Sequence, residues 1–310
     1  MIVTVTANAA IDRTVCVGEL APGALHTAVS DHAQAGGKGV NVARVLQLFG
    51  VPVHAVVVVG GEAGDWILND LERAKIPWSA VRAPGESRTC LELLEASSGR
   101  ATPIHGLGVR ADPAVARALV AHTAECARGA DWVALCGSLA HGLPEGSAAS
   151  LVEAARGAGA RVAVDTSGQA LRSAWGRGPE LVRVNRDELA AVLEVARPEV
   201  PAPPYPALGS VAMGVVSDGA LPIEAWQEGG RRWRILPPPV ASKNTIGCGD
   251  AMLAGLLQAL SEGRAFDDAL LFATAVAAAQ AESRHAGELD PERARSFAQG
   301  LYAARGEKPS

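Results

Sequence analysis

Lysine is nearly absent from this chain. Lys38, Lys75, Lys243 and Lys308 are the only four in 310 residues, and arginine carries the remaining positive charge. Net charge is −5 and the isoelectric point near 5.8, so no basic surplus exists to hold nucleic acid or an acidic lipid surface. An anionic ligand must be met locally, by a placed Arg, Lys or backbone N–H. A lysine inside a glycine cluster, Lys38, therefore stands out.

Other absences narrow the field. Five cysteines (Cys16, Cys90, Cys126, Cys136, Cys248) are scattered, odd in number and without Cys-x-x-Cys spacing. That argues against a disulfide framework or a zinc–thiolate site and for a reducing cytoplasm. The longest apolar run, Ala269 to Ala281, is interrupted by Thr274 and Gln280 and is too short to span a bilayer. Met1 to Thr6 alternates like a strand and lacks a charged start and an apolar signal core. These features predict a soluble, cytoplasmic protein with neither nucleic-acid nor membrane partners. The P-loop pattern G-x-x-x-x-G-K-[ST] is missing, and no G-x-G-x-x-G follows the first strand. The first absence excludes a P-loop NTPase, and the second leaves a nicotinamide-dependent oxidoreductase without support.

What is present is an α/β alternation able to bury one large core, 48% hydrophobic overall, with no internal repeat and no clear interdomain linker. Residues 2–7 read as a strand ending in Asn8-Ala9-Ala10-Ile11-Asp12, and 13–34 as short β-like pieces around Pro22-Gly23. Val53 to Val59 is a continuous apolar strand, as parallel sheets buried on both faces require. Strands are expected at 78–82, 88–95 and 101–105, the last two joined as a hairpin at Ser97-Ser98-Gly99. Asp112-Pro113 caps a helix to about Arg128. Strands near 131–136, 161–164 and 181–184 then alternate with helices, which means a parallel sheet covered on both faces. The segment 196–209, with five prolines, breaks this rhythm and reads as a surface loop. Strand-like pieces at 211–217, 223–227 and 231–235 and helices near 265–283 and 290–304 complete the chain.

Two glycine-rich helix starts carry the chemistry. Asn244-Thr245-Ile246-Gly247-Cys248-Gly249-Asp250 precedes a helical pattern beginning at Met252. Glycines there let backbone N–H groups turn toward one anion beside the positive end of a helix. Asp250 would sit next to that nest with a carboxylate able to accept a proton; the alternative is an acidic first-turn residue that merely stabilises the helix. The second start, Gly36-Gly37-Lys38-Gly39-Val40-Asn41, opens a helix that puts Lys38 and Asn41 one turn apart, or leaves Lys38 in solvent. Arg88 begins a hairpin and points either to solvent or into a cleft.

Taken together, Asn8-x-x-x-Asp12, Gly36-Gly37-Lys38-Gly39-x-Asn41, Gly137-Ser138-Leu139, Asn185-x-x-Glu188 and Gly247-x-Gly249-Asp250 resemble the ribokinase-like (PfkB) carbohydrate kinases in order and spacing. The resemblance runs from residue 2 to about 285 and is closest to the branch of 1-phosphofructokinases and tagatose-6-phosphate kinases. It implies a three-layer α/β/α sandwich with a small β-sheet lid. The core would be 1–11, 35–82 and 108–310, and the lid 12–34 and 83–107. It also implies ATP- and Mg²⁺-dependent phosphorylation of a ketohexose phosphate, foremost fructose 1-phosphate, with tagatose 6-phosphate or fructose 6-phosphate as alternatives.

Carried over by position, Asp250 is the general base and Gly247, Cys248 and Gly249 form the anion hole. Asp12, Gly36, Gly37 and Asn41 would hold sugar hydroxyls, and Lys38, Arg88 and Ser138 the substrate phosphate. Arg183, Asn185, Ser217 and Gly219 would serve the nucleotide, with Asn185 and Glu188 ordering magnesium. A homodimer through the lid is a further expectation. Three departures from the family pattern stand on the nucleotide side. Arg183-Val184-Asn185 replaces Lys-Pro-Asn, Pro222 stands where glycine is usual, and the proline-rich loop replaces a helix. They motivate the rival reading of a non-catalytic sugar-phosphate sensor.

Overall fold

A computed structural model describes residues 1–197, 203, 205 and 208–305. The chain begins with β1 (Ile2–Thr6), β2 (Ala10–Val17) and β3 (Ser30–Gly36), then α1 (Lys38–Leu48), β4 (Val53–Val59), α2 (Gly61–Arg73) and β5 (Trp78–Arg82). The hairpin β6 (Arg88–Glu95) and β7 (Ala101–His105) follows, then α3 (Pro113–Ala127), β8 (Trp132–Cys136), α4 (Ser147–Gly157), β9 (Arg161–Asp165) and α5 (Gly168–Trp175). Next come β10 (Leu181–Asn185), α6 (Arg186–Leu193), β11 (Met213–Asp218), β12 (Leu221–Gln227) and β13 (Arg232–Ile235). The helices α7 (Cys248–Ser261), α8 (Phe266–Ala281) and α9 (Pro291–Arg305) close it. No helix among the described residues is long and apolar enough to cross a membrane.

The large sheet has nine strands in the order β13-β12-β11-β10-β9-β8-β1-β4-β5. From β11 to β5 every pairing is parallel, which is why Val53–Val59 and Trp132–Cys136 are almost wholly apolar and buried. One hydrophobic cluster joins α1, α2, α7, α8 and α9 to one face, and a second joins α3 through α6 to the other. This is the three-layer α/β/α sandwich, with all parallel strand ends, and hence the polar residues following them, along one edge.

The smaller sheet, β3-β2-β6-β7, stands over that edge. Asp12 lies inside β2, opposite Gln34 and Cys90, rather than at the end of the first strand as its sequence position suggests. The helix Gly168–Trp175 is an addition to the expected elements.

Two expectations need correction. The segment 196–209 is not a surface loop throughout: Tyr205 and Leu208 are only 3% and 5% exposed. Tyr205 packs edge-on against Trp226 at 5.2 Å and Trp175 at 6.2 Å. Residues 198–202, 204, 206 and 207 of that segment lie outside the described residues. Pro222 removes no hydrogen bond the sheet needs. Register shifts between Val216 and Asp218, so Pro222 and Ile223 together oppose Ser217 in a bulge, where a missing N–H is tolerated.

Gly214 illustrates how tightly this end is packed. A β-carbon there would fall 2.0 Å from the Trp226 ring, which is itself stacked on Trp175. Gly214→Val is expected to lower unfolding stability by about 1–3 kcal/mol, the usual cost of overpacking. Urea denaturation followed by tryptophan fluorescence checks this, and an unchanged midpoint would contradict the packing described.

Candidate active site

One cleft of about 690 Å³ opens between the two sheets. Asp12, Gly37, Lys38, Asn41, Arg88, Ser138, Arg183, Asn185, Glu188, Ser217, Gly219 and Gly247 to Asp250 all line it. Gly36 does not line the cleft; its role is space, since a β-carbon there would overlap the Asp12 carboxyl at 2.0 Å.

The helix start at Gly247 is a tight turn in which the Cys248 N–H donates to the Thr245 carbonyl at 3.4 Å. Gly247 caps α7 in the left-handed conformation, φ 81°, a backbone state a side chain would strain. Ile246 N–H donates to Asn244 Oδ1 at 2.8 Å, which fixes the loop before it. A β-carbon on Gly249 would lie 2.2 Å from Arg183 Nη1. Gly249 is therefore small so that a guanidinium can press against the underside of the nest.

Beneath the cleft floor lies a charge network that motif spacing did not disclose. Asp165, fully buried at the end of β9, accepts from Lys38 Nζ at 2.7 Å and from Arg183 Nη1 at 3.0 Å. Lys38 Nζ also donates to Glu188 Oε1 at 2.8 Å, and Arg183 Nη2 to Ser217 Oγ at 2.5 Å. Burial alone would protonate Asp165, but the two cations outweigh it and hold its pKa below the ordinary carboxylate value. Burial likewise disfavours the Lys38 ammonium, yet Asp165, Glu188 and Asp250 keep it charged. The signal for Asp165 was its place: an acid ending an apolar parallel strand, in line with Asn185 and Ser217.

Asp250 occupies the first turn of α7, 5% exposed, and accepts from Asn41 Nδ2 at 2.9 Å. Burial, reinforced by the negative charge of Asp165, pushes its pKa up to about 7, against the pull of Lys38, Asn41 and Arg183. A carboxylate so poised is half-charged at neutral pH and ready to exchange a proton. Asp12 is also pushed up by burial, partly offset by the Gly37 N–H and by Arg88.

Asn185 and Glu188 form a reciprocal cap on α6: Glu188 N–H donates to Asn185 Oδ1 at 2.8 Å and Asn185 N–H to Glu188 Oε2 at 2.9 Å. Glu188 Oε1 and Asp165 Oδ1 converge on the Lys38 ammonium, so two hard oxygen donors already hold a cation at the cleft floor. Asp165 is closed off under Lys38, but Asn185 and Glu188 line the cleft and offer oxygen donors that fit a partly hydrated divalent ion such as Mg²⁺. Arg88 reaches back, Nη2 to the Asn8 carbonyl at 3.2 Å, and Asn8 Nδ2 lies 3.4 Å from Ser138 Oγ.

A mixed sheet of nine strands among the described residues, sandwiched by helices, with a small sheet above its strand ends, is the ribokinase-like fold. Residues 3–293 match the pfkB family of carbohydrate kinases. The chain is 37% identical over 309 residues to a 1-phosphofructokinase of Xanthomonas campestris pv. campestris, covering 96% of each chain. It is 34% identical over 282 residues to a 1-phosphofructokinase of Rhodobacter capsulatus, covering 88% of each. Its fold matches phosphofructokinase-2 of Escherichia coli in complex with potassium at a TM-score of 0.87, with 24% identity over 97% of this chain and 98% of that one. The chain belongs to the pfkB family of carbohydrate kinases and is an enzyme of the sugar-kinase class.

The raised pKa of Asp250 has a consequence for stability. Because its folded-state value of about 7 exceeds the ordinary 3.8, the folded protein holds this proton more tightly than the unfolded chain. That contribution is complete below about pH 4 and disappears as pH rises through about 7. Asp250→Asn should therefore gain stability relative to the parent between pH 5 and pH 8. Urea midpoints of both proteins at these two pH values check it; a gap that does not widen with pH contradicts the assignment.

Proposed function

We propose that this enzyme transfers a phosphoryl group from ATP to a hydroxyl of a ketohexose phosphate, with fructose 1-phosphate as substrate and fructose 1,6-bisphosphate as product. The observation that carries the reading is Asp250, a buried carboxyl poised near neutrality at the mouth of the Gly247–Gly249 nest, in the same cleft as Arg88 and Lys38. The two similar enzymes with this substrate in their name support that choice.

In this mechanism Asp12 and Asn41 orient the sugar, and Arg88 with Ser138 meets the phosphate it already carries. Lys38 gives two of its three N–H donors to Asp165 and Glu188, which leaves one for a substrate anion. Asp250 accepts the proton of the acceptor hydroxyl as that oxygen forms its bond to phosphorus. Backbone N–H groups of the first turn of α7, with Arg183 behind Gly249, face the transferring oxygens, where positive charge lowers the barrier most. ATP, when bound, would supply the phosphoryl group and leave as ADP once the bond from the γ-phosphorus to the ADP oxygen breaks; Asn185 and Glu188 would hold Mg²⁺, which would neutralise charge on the phosphate oxygens. Ser217 and the Gly219 turn face the nucleotide. The sheet β3-β2-β6-β7 serves as the lid that excludes water from the sugar. Ile104 of β7 and Leu25, Val29 and Leu107 in the loops flanking the sheet's strands are exposed, which suits a second copy of the chain covering this part of the molecule.

ADP release measured with fructose 1-phosphate, fructose 6-phosphate, tagatose 6-phosphate and unphosphorylated fructose tests the reading. Fastest turnover is expected with fructose 1-phosphate, and no turnover with any ketohexose phosphate ends it. Asp250→Asn should lower kcat by roughly 10²-fold or more with KM for the sugar phosphate nearly unchanged. The parent's kcat should rise with pH toward neutrality as Asp250 ionises and then level; a variant that retains activity refutes the base assignment. Arg88→Ala should raise KM for the sugar phosphate more than KM for ATP, and equal effects would remove Arg88 from the phosphate site.

A further inference from the structure

At one rim of the cleft the small sheet meets the loop that follows α8. Gln34, near the end of β3, donates from Nε2 to the Ala286 carbonyl at 2.7 Å and is itself buried. Two residues earlier, on the same face of the strand, His32 stacks on His285 with ring centroids 3.9 Å apart and planes at 24°. His32 Nε2 and His285 Nδ1 are both buried without a hydrogen-bond partner. The Glu288 carboxylate lies 3.7 Å from His32 Nε2 and is open to solvent. One donor atom from each of the three residues falls within 4.8 Å of the other two.

We propose that His32, His285 and Glu288 form a binding site for a borderline divalent transition cation, of which Zn²⁺ is the type, clasping β3 to the loop after α8. Two imidazoles and one carboxylate, with water completing the shell, are a donor set that zinc prefers. It is chemically distinct from the oxygen donors of Asn185 and Glu188, which suit magnesium. Burial, helped by the neighbouring His32, lowers the pKa of His285, so its lone pair is available at neutral pH. In the stacked arrangement the two lone pairs lie in nearly parallel planes. Binding requires one ring to turn about its outer torsion, which is broad for histidine. The exposed Glu288 leaves an approach from solvent. Because the ligands come from both sides of the contact, the ion links the small sheet to the helical layer without touching Asp250 or the glycine nest.

Titration of the chelator-treated full-length enzyme with Zn²⁺, and separately with Co²⁺, tests the site by calorimetry and visible absorption. One equivalent should bind, and the Co²⁺ form should show the intense visible bands of four- or five-coordination without a near-ultraviolet thiolate band. His32→Ala and His285→Ala should each weaken Zn²⁺ binding by about 100-fold or more, since losing even an outer partner of a metal ligand costs 10–100-fold. Glu288→Gln, an exposed change that leaves packing intact, should weaken it measurably while the urea midpoint stays that of the parent. The proposal falls if the parent binds no stoichiometric ion, if the cobalt form shows thiolate ligation, or if Glu288→Gln binds Zn²⁺ as tightly as the parent.

Discussion

The contact on which the site depends is the pair of charge-assisted hydrogen bonds to Asp165. A carboxylate wholly removed from water is tolerated only because Lys38 and Arg183 both donate to it, at 2.7 and 3.0 Å. Those two cations belong to distant pieces of chain, the glycine-rich start of α1 and the middle of β10. One buried acid therefore aligns the helix that carries Asn41 with the strand that ends in Asn185. Removing one partner from such a network costs about 3–5 kcal/mol, because the remaining charge is stranded. Arg183 adds a second link: its guanidinium presses on Gly249 and donates to Ser217, joining the start of α7 to the end of β11.

The same network sets the acidity of Asp250, the proposed general base. Asp165 repels the ionised form of Asp250, while Lys38 and Arg183 attract it, and burial decides the balance in favour of the proton. Two carboxyls in one buried cluster are thus shifted in opposite directions: Asp165 is held below the ordinary carboxylate value by its paired cations, and Asp250, which accepts from Asn41, is pushed up to about 7. In the proposed mechanism catalysis and stability pull against each other, since the ionised Asp250 that would accept a proton is the form the folded protein tolerates least.

Much of this was legible in residue order. The apolar runs at Val53–Val59 and Trp132–Cys136 announced a sheet buried on both faces, and the hairpin Arg88–His105 was marked by its Ser-Ser-Gly turn. Glycine clusters before amphipathic patterns located both helix starts that line the cleft. Three features were hidden. The proline-rich segment looked exposed because proline excludes a helix, yet Tyr205 finds buried aromatic partners that local sequence cannot name. Pro222 looked disruptive because its bulge depends on the register of β11 against β12. Asp165 carried no glycine or spacing signature, only a position at a strand end.

The order of motifs by itself determined the class of fold, the family and the set of residues along one edge of the sheet. That follows because period-two and period-3.6 patterning and glycine placement are local, and parallel strands with right-handed crossovers leave few ways to join them. Tertiary structure alone decided which charges meet. Whether the Lys38 ammonium faces a ligand or Asp165, whether Asp250 is ionised, and whether His32 lies on His285 are all questions of distance between residues far apart in the chain. Electrostatic energy depends on those distances and on exclusion of water, and neither quantity is written in the spacing of letters.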